Sequence, residues 1–97
     1  MNIELKKFGT ALISRQAGKE AFAAFQSYLK DIPEKEDILA DFNGVITFSP
    51  SWGDEFLTQL AQRYDGRFKL MPTQNPSVKA TIEILEKSND IKFSAVE

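Results

Sequence analysis

The chain has 97 residues, of which 27% are charged, and a formal net charge of -2. This length is typical of one domain, so residues 1–97 are expected to form a single domain. The slightly acidic balance argues against non-specific nucleic-acid binding, because no overall basic footprint is available to neutralise phosphates. The sequence has no cysteine and no histidine, which excludes disulfides and the usual zinc sites and argues against an enzyme. No apolar run approaches the roughly 20 residues of a membrane span, and residues 1–10 lack a signal-peptide core, so we expect a cytoplasmic protein with no membrane contact.

Two short strands are predicted first. Ile3 and Leu5 alternate with polar residues, which is typical of a weak edge strand over residues 2–8. Residues 11–13 form a second apolar run after a Gly-Thr turn. Together these runs predict an amino-terminal hairpin.

A first helix is predicted over residues 15–30. Phe22 and Phe25 belong to a set of apolar residues at helical spacing, and Ser14 is a suitable N-cap. Gly18 lies in the first turn, where its cost in helix propensity is reduced. A glycine at this position also permits the close approach of another backbone.

The central strand is predicted over residues 38–42. Asp41 lies near its end, and we expect its carboxylate to bond local amides in the turn at Asn43-Gly44. The functional alternative is that this carboxylate faces a partner or a phosphate-bearing site. Asn43-Gly44 is also typical of a tight hairpin turn, so a hairpin with residues 45–48 is a second local alternative.

A second helix is predicted over residues 51–64. Ser51 and Asp54 have the spacing of a capping box, and Glu55 adds charge that opposes the helix dipole. Trp52 either packs on the core or lies partly exposed beside the loop. A strand that leads through a polar loop into a helix start is where α/β proteins commonly place their sites.

The remaining elements are a strand, a helix and a final strand. Residues 67–70 form the strand, and residues 91–96 are a last short strand or an ordered tail. Asn75 followed by Pro76 is typical of a cap and a first helical residue, which predicts a third helix over residues 76–87.

The predicted order is β β α β α β α with an optional final strand. Strands that alternate with helices predict an α/β domain with a mainly parallel sheet and three helices. The amino-terminal hairpin makes the predicted sheet mixed.

No glycine-rich phosphate-binding loop is present in the sequence. Asp41, Asp54 and Glu55 carry oxygen atoms that Mg²⁺ accepts as ligands. Asp54 and Glu55 are better explained as helix-start charges, so we predict no metal, no cofactor and no catalytic residue.

Three sequence motifs, given below, occur in the same order as in the STAS-like domains of unknown function and resemble them. These domains are related to the STAS domains of bacterial anti-sigma factor antagonists. The core match, in which Trp52 replaces a phenylalanine, consists of Asp41-Phe42, Gly44-Val45, Ser51, Asp54-Glu55 and Phe56-Leu57. Two further segments resemble those that begin the family's first and third helices, namely Leu12-Ile13-Ser14-Arg15 and Asn75-Pro76-Ser77-Val78.

The resemblance implies a STAS-like fold and a non-enzymatic module that binds protein partners. In the antagonists, an ATPase of the histidine-kinase-like fold phosphorylates a serine in the loop before the second helix, and phosphorylation breaks the complex. In this chain Pro50 occupies the position of that serine. Ser49 and Ser51 flank it and are the candidate phosphorylation sites.

Three functional hypotheses follow. The first is a regulatory protein-binding module, a monomer or weak homodimer, that uses the loop 43–50 and the helix 51–64. Its predicted contacts are Asn43, Thr47, Ser49, Ser51, Trp52, Asp54 and Gln59. The alternative is a small-molecule or nucleotide binder that uses the amides at the start of this helix, with Arg15 as an anion ligand. A small enzyme, with Asp41 or Glu55 as acid or base, ranks last.

Overall fold

The computed structural model describes residues 1–96. It has three helices, α1 (Arg15–Leu29), α2 (Pro50–Arg63) and α3 (Pro76–Asn89). Each helix begins at a side chain that accepts hydrogen bonds from the backbone of its first turn, and the capping residues are Ser14, Ser49 and Asn75. The predicted caps at Ser14 and Asn75 are confirmed.

Residues 1–96 contain six short strands. They are β1 (Asn2–Glu4), β2 (Ala11–Leu12), β3 (Ile38–Asp41), β4 (Thr47–Phe48), β5 (Phe68–Leu70) and β6 (Ser94–Ala95). Four of them form one sheet in the order β1-β3-β5-β6, and β2 pairs with β4 in a second sheet. All four strand pairs are parallel. The predicted α/β fold, with three helices and a mainly parallel sheet, is confirmed.

The predicted amino-terminal hairpin is wrong. After β1 the chain enters a single 3₁₀ turn at Leu5–Phe8, which places Leu5 in the core with none of its surface exposed. β1 then pairs with β3 and β2 pairs with β4. The four-residue turn buries an apolar side chain and does not fold β2 back onto β1.

The local hairpin alternative does not form either. Thr47–Phe48 is a strand, but its partner is β2 rather than the end of β3. The backbone N–H of Ser49 continues this pairing by donating to the carbonyl of Leu12 at 2.9 Å. The stretch from residue 45 to residue 49 is therefore hydrogen-bonded to β2, which lies far from it along the chain.

The four-stranded sheet has one buried face. Ile38 and Ala40 have no exposed surface, whereas Leu39 and Asp41 are half-buried. Because successive strand residues point to opposite faces, this alternation shows that the helices cover one face and leave the other to solvent. On the helical side, α2 lies between α1 and α3 and contacts both.

Aromatic rings fill the space under α2. Trp52 stacks on Phe56 with ring centroids 5.0 Å apart, and Phe48 lies 5.8 Å from Trp52. Both Trp52 and Phe56 are at most 1% exposed. Within residues 1–96, no helix has both the length and the apolar character that a membrane crossing requires.

Candidate functional site

The start of α2 is the first part of the predicted site. Ser49 is the N-cap, and its hydroxyl accepts from the N–H of Trp52 at 3.3 Å and donates to the carbonyl of Ile13. The predicted capping box at Ser51 is therefore wrong by two residues. Pro50 is the first helical residue, where the missing N–H costs nothing because it has no partner within a helix.

Arg15 is held by acidic side chains of α2. Its Nη1 atom lies 2.6 Å from Oε2 of Glu55 and 3.3 Å from Oδ2 of Asp54. The hydrogen bond to Glu55, and then the one to Asp54, raise the pKa of Arg15 above its usual value. Asp54 also accepts a hydrogen bond from Nδ2 of Asn89 at 3.1 Å. These contacts join the start of α1, the first turns of α2 and the end of α3.

This arrangement does not favour an anion at the start of α2. The guanidinium of Arg15 already faces two carboxylates, and these carboxylates repel a second anion. The N–H of Trp52 is bonded to Ser49, and Pro50 has no N–H to offer. The donors that an anion would need are therefore largely in use.

The predicted contact residues do not form one surface. Asn43, Thr47 and Gln59 are exposed, whereas Ser49, Ser51 and Asp54 are half-buried. Gln59 lies ten residues after the cap, which is about 15 Å along the helix. Gln59 is thus well separated from Ser49, where the loop ends.

Trp52 is a core residue. Its side chain is 1% exposed and packs between Phe48 and Phe56. A side chain this deeply buried offers no surface to a partner. The prediction that Trp52 contacts a partner directly is therefore corrected. Its apolar side chain instead fills the core beneath α2.

The loop before β4 is held rigidly at its entry. Oδ1 of Asp41 accepts from the N–H of Asn43 at 2.9 Å, which confirms the predicted local role of this carboxylate. Gly44 has a φ of 89°, a left-handed conformation that favours glycine. The N–H of Val45 then donates to the carbonyl of Phe42 at 3.0 Å.

The same loop is held from two other parts of the chain. The N–H of Ile46 donates to the carbonyl of Thr10 at 2.8 Å. Nδ2 of Asn75 donates to the carbonyls of Val45 and Ile46 at 2.8 and 3.1 Å. The capping residue of α3 therefore also fixes the backbone of this loop.

The outer edge of β4 is bonded by side chains of α3. The hydroxyl of Ser77 accepts from the N–H of Phe48 at 3.0 Å and donates to its carbonyl at 3.2 Å. Thr81 Oγ1 donates to the same carbonyl at 2.6 Å and is 3% exposed. This edge is satisfied without a further strand.

Ile46 is the most exposed large apolar side chain of the loop, and the sequence analysis missed it. Its side chain is 70% exposed although its backbone is bonded at both N–H and carbonyl. Ile13, at the end of β2, is 52% exposed and lies next to the same two-stranded sheet. The sequence carried no clear signal for Ile46, since the neighbouring Val45 is also apolar but is buried.

Among residues 1–96, no group of three or more acidic side chains lies close enough together to hold a metal ion. Comparisons with protein-family models, with curated proteins and with solved structures found no match to this chain. The STAS-like resemblance thus rests on the three motifs quoted above, and it stays a prediction.

Proposed function

We propose that this chain is a non-enzymatic, regulatory protein-binding module of the STAS-like type. It binds its partner through the loop 43–50 and the start of α2, as a monomer or weak homodimer in the cytoplasm. The lack of cysteine suits such a reducing compartment. The partner class that the resemblance favours is an ATPase of the histidine-kinase-like fold.

One observation carries this proposal: Ile46 is 70% exposed on a loop whose backbone is bonded to two distant residues, Thr10 and Asn75. Burying an exposed isoleucine side chain against a partner contributes about 1.5–3 kcal/mol. A loop that is already ordered loses little entropy on binding, so more of this free energy appears as affinity. Ile46 is therefore the anchor of the proposed surface, in place of Trp52.

The two candidate phosphorylation sites are not equivalent. The hydroxyl of Ser49 is bonded on both sides, and a phosphate on it would break the cap of α2 and the bond to Ile13. Ser51 is half-buried in the first turn and is not the cap. We propose Ser51 as the site of any phosphate switch, since its hydroxyl is not the cap. A phosphate there would be repelled by the carboxylates of Asp54 and Glu55, and this repulsion would disturb the start of α2.

The test uses the purified chain as bait in a lysate of its own organism, in the presence of ATP. Three baits are compared: the wild type, Ile46→Asp and Ile84→Asp. Ile84 is a matched control because it is also an exposed isoleucine, 47% exposed, but lies on α3. The captured protein is then purified, its Kd for each bait is measured by titration calorimetry, and Ser49 and Ser51 are examined for phosphate by mass spectrometry.

We expect a partner whose affinity falls at least about 100-fold with Ile46→Asp, which corresponds to roughly 2.7 kcal/mol. Ile84→Asp is expected to leave the affinity unchanged. Equal binding of all three baits contradicts the assignment of the loop, as does equal loss with both variants. Phosphate on Ser49 without unfolding of α2 contradicts the choice of Ser51.

A further inference from the structure

β1 is an edge strand that faces a groove. The sheet order places β3 on one side of β1, and no other described strand lies on its second side. On that side a groove of about 470 Å³ lies between β1 and α1, with Asn2–Glu4 on one wall and Ala24, Phe25 and Tyr28 on the other. We call this the β1 groove.

The backbone of β1 offers hydrogen-bonding groups toward this side. The carbonyl of Met1 accepts from the N–H of Leu39 at 2.8 Å, so the backbone of residue 1 faces β3. Backbone groups of successive strand residues point to opposite edges. The N–H groups of Asn2 and Glu4 therefore point to the open edge, which is the template for an added strand.

The groove has an aromatic wall, formed by Phe25 and Tyr28 of α1 together with Phe8 of the 3₁₀ turn. Phe8 and Phe25 are half-buried, with ring centroids 6.3 Å apart. The ring of Tyr28 lies 5.5 Å from that of Phe25, nearly parallel at 30°, yet the Tyr28 side chain is 63% exposed. One side of this ring thus rests on the core and the rest is open to an incoming group.

The charges at the Tyr28 end favour a cation. A second groove continues from the first, shares Met1, Ser27 and Tyr28 with it, and is also lined by Asp31 and Glu36. Glu36 pairs with the amino group of Met1 at 2.9 Å, whereas Asp31 has no ion pair within residues 1–96. An exposed aromatic ring next to an unpaired carboxylate attracts a lysine or arginine side chain.

The other end of the groove has a different charge. Lys7 lines it and pairs with Glu4 at 3.4 Å, and Lys6 lies 3.8 Å from the same carboxylate. A basic side chain at this end would be repelled by two lysines. The charge distribution therefore sets the position of a cationic side chain along the groove, at Tyr28.

We propose that the β1 groove binds an extended peptide segment by strand addition to β1, with a lysine or arginine side chain over Tyr28 and beside Asp31. Main-chain hydrogen bonds to Asn2 and Glu4 supply affinity, and alternate side chains enter the aromatic wall. No residue of the loop that contains Ile46 lines the β1 groove, and this proposal does not depend on the proposed function.

The test begins with a phage-displayed library of random dodecapeptides selected on the purified wild-type chain. The peptide that binds most tightly is synthesised with a fluorescent label, and its Kd is measured by fluorescence polarisation. We expect a lysine or arginine at one constant position among the selected peptides. Replacing this residue by glutamate should weaken binding at least about tenfold.

Two pairs of variants locate the peptide. Glu4→Pro removes the outward N–H at a residue whose φ of −85° is close to that of proline, and proline is tolerated on edge strands. Glu4→Gln keeps the N–H and is its control. Asp31→Asn removes the proposed charge, and Glu34→Gln removes an exposed carboxylate outside both grooves.

We expect Glu4→Pro to bind the selected peptide at least about tenfold more weakly than Glu4→Gln, because only the first lacks the backbone N–H. Asp31→Asn should bind it at least about tenfold more weakly than Glu34→Gln, which should stay within about twofold of the wild type. The emission of Trp52 and the melting temperature show whether each variant is folded. Several results would overturn the proposal: no peptide selected, peptides that bind all four variants alike, or a wild-type dimer that Glu4→Pro dissociates. The last result would mean that a second copy of the chain occupies the edge.

Discussion

Gly18 of α1 lies directly against the backbone of Trp52 in α2. A Cβ atom on Gly18 would be 2.7 Å from the carbonyl oxygen of Trp52 and 3.1 Å from its Cα. The two helices are thus in contact at the level of the main chain, and the predicted close approach at Gly18 is confirmed. The opposite side of the same segment is equally tight, since a Cβ on Gly53 would be 2.9 Å from Cδ1 of Leu85.

Gly18→Ala is expected to lower the free energy of unfolding. Helix propensity alone would raise it by clearly less than the roughly 1 kcal/mol of a helix interior, because Gly18 lies in the first turn. The new methyl group must displace backbone, however, and overpacking costs about 1–3 kcal/mol. We expect a net loss of about 1–2 kcal/mol, measured by urea unfolding followed through Trp52 emission. Ala23→Gly, at an exposed position of the same helix, is the control for propensity. A Gly18→Ala protein that is as stable as the wild type would show that α1 and α2 separate easily.

Two buried threonines are expected to respond differently to replacement by valine. Thr81 donates to the carbonyl of Phe48 at 2.6 Å, whereas the hydroxyl of Thr58 has no hydrogen-bond partner within residues 1–96. Both side chains are at most 3% exposed. Thr81→Val should destabilise the protein by about 1–2 kcal/mol, and Thr58→Val should be neutral or stabilising. Urea unfolding of both variants measures the difference, and equal effects would contradict the assigned role of Thr81.

Ser49→Ala is expected to cost about 1–2 kcal/mol, because it removes the cap of α2. The bond between the Ser49 hydroxyl and the carbonyl of Ile13 is lost as well. Ser51→Ala, two residues away, should change the free energy of unfolding by less than about 0.5 kcal/mol. Thermal unfolding monitored by circular dichroism compares the two. The reverse order of effects would restore the capping box at Ser51.

Asn75→Asp is expected to loosen the loop that presents Ile46. The substitution keeps an oxygen that accepts from the N–H groups of Ser77 and Val78. It removes the NH₂ group that donates to the carbonyls of Val45 and Ile46. We expect faster amide hydrogen exchange across residues 43–46 and a loss of about 1–2 kcal/mol in stability. Gln74→Glu makes the same chemical change at an exposed neighbour, and similar exchange in both variants would count against this role.

The helices were the most predictable part of the fold. The structure gives Arg15–Leu29, Pro50–Arg63 and Pro76–Asn89 against predictions of 15–30, 51–64 and 76–87. An apolar stripe at helical spacing and a capping side chain are both local, so the sequence displays them directly. The sequence predicts Ser51 as the cap of α2, whereas in the structure the hydroxyl of Ser49 caps the first turn. Ser49-Pro50 has the same pattern of a cap followed by proline that identified Asn75-Pro76, so the local sequence did carry the signal for Ser49.

The candidate site was less predictable. Asn43, Thr47 and Gln59 are on the surface as the sequence analysis required, but Trp52 is in the core and Arg15 is paired with Asp54 and Glu55. Exposure depends on which elements pack together. An aromatic residue in the first turn of a helix is compatible with either outcome until its neighbours are known.

The sequence by itself determined the class of fold, the three helices and the local turns, because periodicity, caps and the Asn-Gly turn act between residues a few positions apart. Only the tertiary structure decided which strands pair. β1 joins β3 and β2 joins β4 across more than 30 residues, and strands of two to four residues carry too little pattern to set a register. The same long-range contacts decided that Asn75 holds the loop of Ile46 and that β1 has an open edge, since both depend on elements that are far apart along the chain.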